Sequence, residues 1–138
     1  GTQPSRMLDE TSFVPFTASG QTRSGSFTVS DVNKSVVLVL AWSDEPGSLA
    51  AGPALVRNLD IDVRNGCTRY AGNKMNSQEY SIAQSSCSGT VSYDNLNNVE
   101  MIIIPPNTLT TISYVITAKS WGFGSHNQKF ALFVANVL

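Results

Sequence analysis

Leu55-Val56-Arg57-Asn58-Leu59-Asp60-Ile61-Asp62-Val63-Arg64 is the stretch whose reading decides the fold. Leu59, Ile61 and Val63 alternate with Asn58, Asp60, Asp62 and Arg64. A period of two places the apolar set on one face of a strand and the polar set on the other. Asn65-Gly66 follows at once and signals a hairpin turn, since both residue types tolerate positive φ. On the other side, Ser43 to Pro53 holds Pro46, Gly47, Gly52 and Pro53 and reads as a loop, with one helical turn at most over Ser48 to Ala51. Before that loop, Ser35 to Trp42 is β-branched and continuously apolar, which predicts a strand buried on both faces.

Working outward, Thr22 to Ser30 alternates, with Phe27 and Val29 on one side. Asp31 to Lys34 is a turn. Cys67 to Tyr70 predicts a short strand after the hairpin turn. Ala71 to Ser92 reads as a long loop region with weak strand signals near Tyr80 to Ala83. Asp94 to Asn98 is turn-like, and Val99 to Ile104 predicts a buried strand that Pro105-Pro106-Asn107 ends. Leu109 to Lys119 alternates with Ile112, Tyr114 and Ile116 on one face. Trp121 to Gln128 is a Gly-containing loop, and Lys129 to Leu138 is the last strand. No stretch reads as a convincing helix. The expectation is an all-β, antiparallel two-sheet sandwich of about seven to nine strands. Residues 1–20 read as a lead-in or linker from an upstream domain and residues 21–138 as a single domain.

Composition agrees. Forty of the 138 residues are Ser, Thr or Asn, while only 14% are charged. These neutral polar residues suit strand faces and turns and are weak in helix interiors. At this length the chain buries roughly two-thirds of its unfolded surface, enough for one core. A net charge of −1 lacks the basic footprint that nucleic-acid binding needs. The longest apolar run, Val36 to Trp42, falls far short of the ~20 residues of a membrane-spanning helix.

The chemistry available is narrow. A Ser-His-Asp triad needs a histidine base, and His126 is the sole histidine, placed in a Gly-rich loop where a solvated role is the plainer reading. No Gly-x-Ser-x-Gly elbow or phosphate-binding Gly motif is present, and the spacing of the acids marks no glycosidase-type pair. The two cysteines, Cys67 and Cys87, with one histidine cannot make a four-ligand zinc site. They are expected to pair across a polar, turn-rich segment, the alternative being two unrelated buried thiols. A disulfide implies an oxidising compartment, secreted or extracellular. Asn33-Lys34-Ser35 forms an N-glycosylation sequon at Asn33. Oxygen-rich segments at Asp44-Glu45, Asp60 with Asp62, and Asp94 to Glu100 suit calcium, which takes six to eight oxygens, although solvated loops are the plain alternative. Trp121 and Phe123, flanked by glycines, are the one aromatic grouping suited to a carbohydrate- or protein-binding module, and both are equally suited to the core.

Four motifs in order carry a resemblance. Leu40-Ala41-Trp42-Ser43-Asp44, Ala54-Leu55-Val56-Arg57-Asn58-Leu59-Asp60-Ile61, Asn97-Asn98-Val99-Glu100 and Phe130-Ala131-Leu132-Phe133-Val134 resemble the β-sandwich domain that follows the catalytic domain in a branch of secreted subtilisin-like serine proteases. The match covers about residues 22–138. Glu45 stands where that family has Pro, and Arg57-Asn58 where it has Asn-Asp, so one family acid is lost.

The resemblance implies a jelly-roll-like sandwich packed beside an upstream subtilisin-like catalytic domain. It implies no catalysis by this segment, a part in folding, stability or access of protein substrate, and calcium binding. Carried over residue by residue, Asp44, Asp60, Asn98 and Glu100 match motif positions; with Asp94 they are the calcium candidates.

Overall fold

The computed structural model describes residues 5–8, 16–18, 20–42, 58–94, 97–119 and 128–138. These residues contain nine strands and no helix: β1 (Ser5–Leu8), β2 (Thr22–Thr28), β3 (Val36–Ala41), β4 (Asn58–Asn65), β5 (Thr68–Met75), β6 (Ser81–Ser85), β7 (Val99–Ile104), β8 (Thr111–Lys119) and β9 (Ala131–Ala135). One sheet has the order β1-β9-β3-β7 and the other β2-β8-β4-β5-β6, and every pairing is antiparallel. Apart from the β4-β5-β6 meander, each successive strand lies in the opposite sheet. That alternation is the jelly-roll order, with β6 added at one edge. The sandwich expected from the alternating segments is therefore the fold.

The alternation works as a period-two rule should. Leu59, Ile61 and Val63 on β4 and Ile112, Tyr114 and Ile116 on β8 are buried, and they face Val36, Leu38 and Leu40 on β3 and Leu132 and Val134 on β9 across one core. Trp42 fills the end of that core. Two readings change. Ser35 to Trp42 and Val99 to Ile104 were expected to be buried throughout, yet only alternate residues are. Val37, Val39 and Ala41 are half-buried, and Val99 and Met101 are 46% and 37% exposed. The reason is that this sheet is apolar on its outer face as well as its inner one. Residues 1–20 also contribute more than a lead-in. Ser5–Leu8 pairs with β9 as an edge strand. Phe16 is fully buried, its ring centroid 5.3 Å from that of Phe130, and its backbone bridges to Gln128.

The hairpin joining β4 and β5 pairs Asn65 with Thr68, so Gly66 and Cys67 form the loop and Gly66 supplies the positive φ of 59°. β5 then runs to Met75, well past the short strand expected, and β6 occupies the weak signal near Tyr80 to Ala83. Cys67 and Cys87 form a disulfide, with 5.5 Å between their Cα atoms, that ties this hairpin to the segment after β6. Asn136, at φ 70°, locks the end of β9 to the β2–β3 turn. Its Nδ2 donates to the carbonyls of Asp31, Lys34 and Ser35, and its Oδ1 accepts from Asp31 N. Among the described residues no helix is long and apolar enough to cross a membrane.

Candidate functional site

β4 and β5 are paired from Asn65–Thr68 to Asp62–Ala71 and no further. Where they part, Glu100 enters from β7 in the other sheet. Its side chain is fully buried, and Oε1 accepts from Ile61 N at 3.2 Å, taking up a backbone donor that the ladder leaves unpaired. Gly72 makes the space: a Cβ there would lie 2.7 Å from Glu100 Cβ and closer still to Oε1. The next residue, Asn73, has φ 61°, which turns β5 away from β4 and toward β7. Its Oδ1 accepts from Met101 N at 2.9 Å, and its Nδ2 donates to Val99 O at 2.8 Å and to Asp94 Oδ2 at 2.7 Å. Asn97 Nδ2 donates to the same Asp94 oxygen at 2.8 Å. Ser81 Oγ accepts from Ile103 N, so side chains rather than a further strand satisfy the edge of β7.

Asp60 and Asp62 lie on the face of β4 away from the core, yet each is only 2% exposed. Tyr93 covers them. Its hydroxyl donates to Asp62 Oδ2 at 2.8 Å, and Lys119 Nζ sits 4.0 Å from its ring centroid while standing 3.4 Å from Asp60 Oδ2. Arg64 Nε donates to Asp62 Oδ1 at 2.6 Å, and Asn58 Nδ2 donates to Asp60 Oδ1 at 3.1 Å.

Four acids against two cations in a buried place cannot all be ionised at once without cost. Burial, the neighbouring Asp60 charge and, more weakly, Asp94 push Glu100 up to about 9, against the opposing pull of Ile61 N–H. Burial also raises Asp60, against the opposing pull of Lys119 and Asn58. With both ionised, Glu100 Oε2 has no hydrogen-bond partner among the described residues. A proton makes Glu100 a donor toward Asp60, and the upward push keeps that proton on Glu100 near neutral pH. Burial and Asp62 push the Tyr93 phenol well above its ordinary range, and the bond to Asp62 raises Arg64 further.

Of the residues singled out in the sequence, the structure brings Asp60 and Glu100 together and sets Asp94 on Asn73, whose other bonds go to the backbone of Val99 and Met101 on either side of Glu100. Asn98 serves elsewhere: Nδ2 donates to Trp42 O at 3.0 Å and its carbonyl accepts from Trp42 N at 3.1 Å, fastening the end of β3 to the start of β7. Asn33 is exposed in the β2–β3 turn. Asp44, Trp121, Phe123 and His126 lie outside the described residues. Gly72, Asn73, Tyr93 and Lys119 were not anticipated. The signal for the first two was present, since a glycine inside a strand marks close approach by another group.

Among the described residues no group of three or more His, Cys, Asp or Glu is arranged to hold a metal ion. Asp60 and Glu100 offer the start of a cation site, two buried carboxyls of which one has an unmatched oxygen, and the further oxygens calcium takes would have to come from beyond the described acids.

No family model and no curated protein matches the chain. Among solved structures it is similar to the crystal structure of the Macrobrachium rosenbergii nodavirus P-domain, at 11% identity and a TM-score of 0.34, over 96% of this chain and 92% of that one. A likeness of that size carries no argument.

Proposed function

We propose that this chain is the non-catalytic accessory β-sandwich of a secreted subtilisin-like serine protease, stabilising or helping to fold the catalytic domain that precedes it. The observation that supports this best is where the motif residues fall. The Trp42 motif meets the Asn97-Asn98-Val99-Glu100 motif through the paired Trp42–Asn98 backbone contacts, and the latter meets the Leu59-Asp60-Ile61 motif through Glu100, Ile61 and Asp60. Residues that resemble one family's motifs thus lie together around the start of β7, fastening it to β3 within its sheet and to β4 in the other. The jelly-roll order agrees with that family's domain, and the disulfide agrees with an oxidising, extracellular setting.

Calcium belongs to the same proposal. A cation at Asp60 and Glu100 would take the place of the Glu100 proton and neutralise two buried charges. Because binding then releases a proton, the gain from calcium grows with pH. Thermal unfolding in calcium and in chelator is expected to differ more at pH 9 than at pH 6. Equal midpoints at both pH values would remove calcium from the reading.

The gene's upstream reading frame and a casein assay test the proposal as a whole. We expect a protease domain upstream, hydrolysis by the full product and none by this chain. Hydrolysis by this chain alone, or an upstream frame without a protease domain, would overturn it.

A further inference from the structure

We infer that the outer face of the β1-β9-β3-β7 sheet is the surface that packs against the preceding domain. This rests on the reading just given for that domain's identity, but its own argument comes from the sheet. The register sets Met7, Phe133, Val39 and Met101 side by side in one row across all four strands. Ser5, Ala135, Val37 and Ile103 form the next row, polar only at the β1 rim. Every residue that β3, β7 and β9 turn outward is apolar, and Lys129, exposed two residues before β9, is a charge at the margin of that face. The other sheet shows what this chain places on a face meant for water. The outward residues of β2 are Thr22, Ser24, Ser26 and Thr28, and β8 beside it adds Thr111, Ser113, Thr117 and Lys119, with Val115 the one apolar residue among them. One outer face is hydroxyl-rich and the other is apolar, so the contrast is specific to the sheet and not a habit of the whole chain.

Size distinguishes the occupant. Four strands about 4.8 Å apart, with three outward rows about 6.8 Å apart, make a face of about 400 Å². Two such surfaces bury about 800 Å². That is below the roughly 1,200 Å² at which separate molecules associate stably. It lies within the roughly 600–1,500 Å² of contacts between domains of one chain, where the linker supplies the effective concentration. β1 is an edge strand of this sheet, paired with β9 alone.

Methionine oxidation tests the inference directly, since Met7 is 62% and Met101 37% exposed here, while Met75 on β5 belongs to the other sheet and serves as the internal control. Dilute hydrogen peroxide is applied to this chain and to the full gene product, and sulfoxide is quantified by peptide mass. We expect Met7 and Met101 to oxidise at least five-fold more slowly in the full product, with Met75 unchanged. Equal rates at Met7 and Met101 in a product that does carry a protease domain would overturn the inference and leave the functional reading standing. Protection by an upstream domain that is not a protease would uphold the face and overturn the functional reading. Sedimentation of this chain at micromolar concentration covers the remaining occupant: a monomer is expected, and a dimer that Met101→Lys dissociates would assign the face to a second copy and overturn the inference.

Discussion

Glu100 is a carboxyl group placed where an uncharged one would serve. It fills the gap left where β4 and β5 part, caps Ile61 N–H, and keeps a proton that faces Asp60. Its folded pKa is raised above the unfolded value, so the native state binds the proton more tightly than the unfolded chain does. The stability this brings is fully present below about pH 4.5 and is lost as pH rises toward about 9, with a slope of at most about 1.4 kcal/mol per pH unit. Glu100→Gln keeps an acceptor for Ile61 N–H and gives Asp60 a permanent donor. Urea unfolding of the variant between pH 5 and 9 is expected to show a markedly flatter pH dependence than that of the parent. Equal slopes would place the proton on another group. Asp60 and Glu100 were both legible as chemically notable residues, because each sits in an acid-bearing motif. That they meet in one buried gap was not, since it depends on Gly72 removing a Cβ and on burial that no single stretch of sequence expresses.

At the scale of the element, the alternating strands were readable because a face that meets a core must repeat every second residue. β8 and β9 followed that pattern closely, whereas β4 alternates in residue type but is buried on both faces from Asn58 to Val63. β1 escaped because Ser5-Arg6-Met7-Leu8 is too short to show a period and owes its strand form to β9 beside it. The second half of β5 escaped because Gly72 and Asn73 read as loop residues, and they are strand residues whose tertiary partner is β7. Asn73 carries the consequence. Asn73→Gly preserves the positive φ but leaves Met101 N and Val99 O without their side-chain partner and removes a donor from Asp94. A loss of about 1–3 kcal/mol in urea unfolding is expected, since two of the three bonds lost are at exposed positions, where each contributes about 0.5–1.5 kcal/mol, and only Asp94 is buried. A loss under about 0.5 kcal/mol would mean that water replaces the amide at no cost.

For the whole molecule, the disulfide constrains the part of the sandwich that is most local in sequence. Cys67 and Cys87 are both exposed, 20 residues apart, at the hairpin and just beyond β6. In the loop-entropy account, closing a loop of this size stabilises by about 3 kcal/mol. Reduction is expected to lower the urea midpoint accordingly, without abolishing the transition, because the core lies between the sheets and not at the bridge. Loss of all cooperative unfolding on reduction would show that the bridge holds the fold together.

The strand order also sets the order of assembly. In the β1-β9-β3-β7 sheet no two neighbouring strands are consecutive in the chain, whereas β4, β5 and β6 are consecutive and adjacent. Closing long loops costs entropy before any pairing offsets it. The meander around the disulfide is therefore the part able to form early, and the four-stranded sheet must wait until β9, the last strand, is available to enter between β1 and β3. Refolding slower than most domains of this length, on the order of seconds, follows from that arrangement. A nascent chain would hold its most apolar sheet incomplete, with β3 and β7 able to pair but β1 without its neighbour, until β9 has been made.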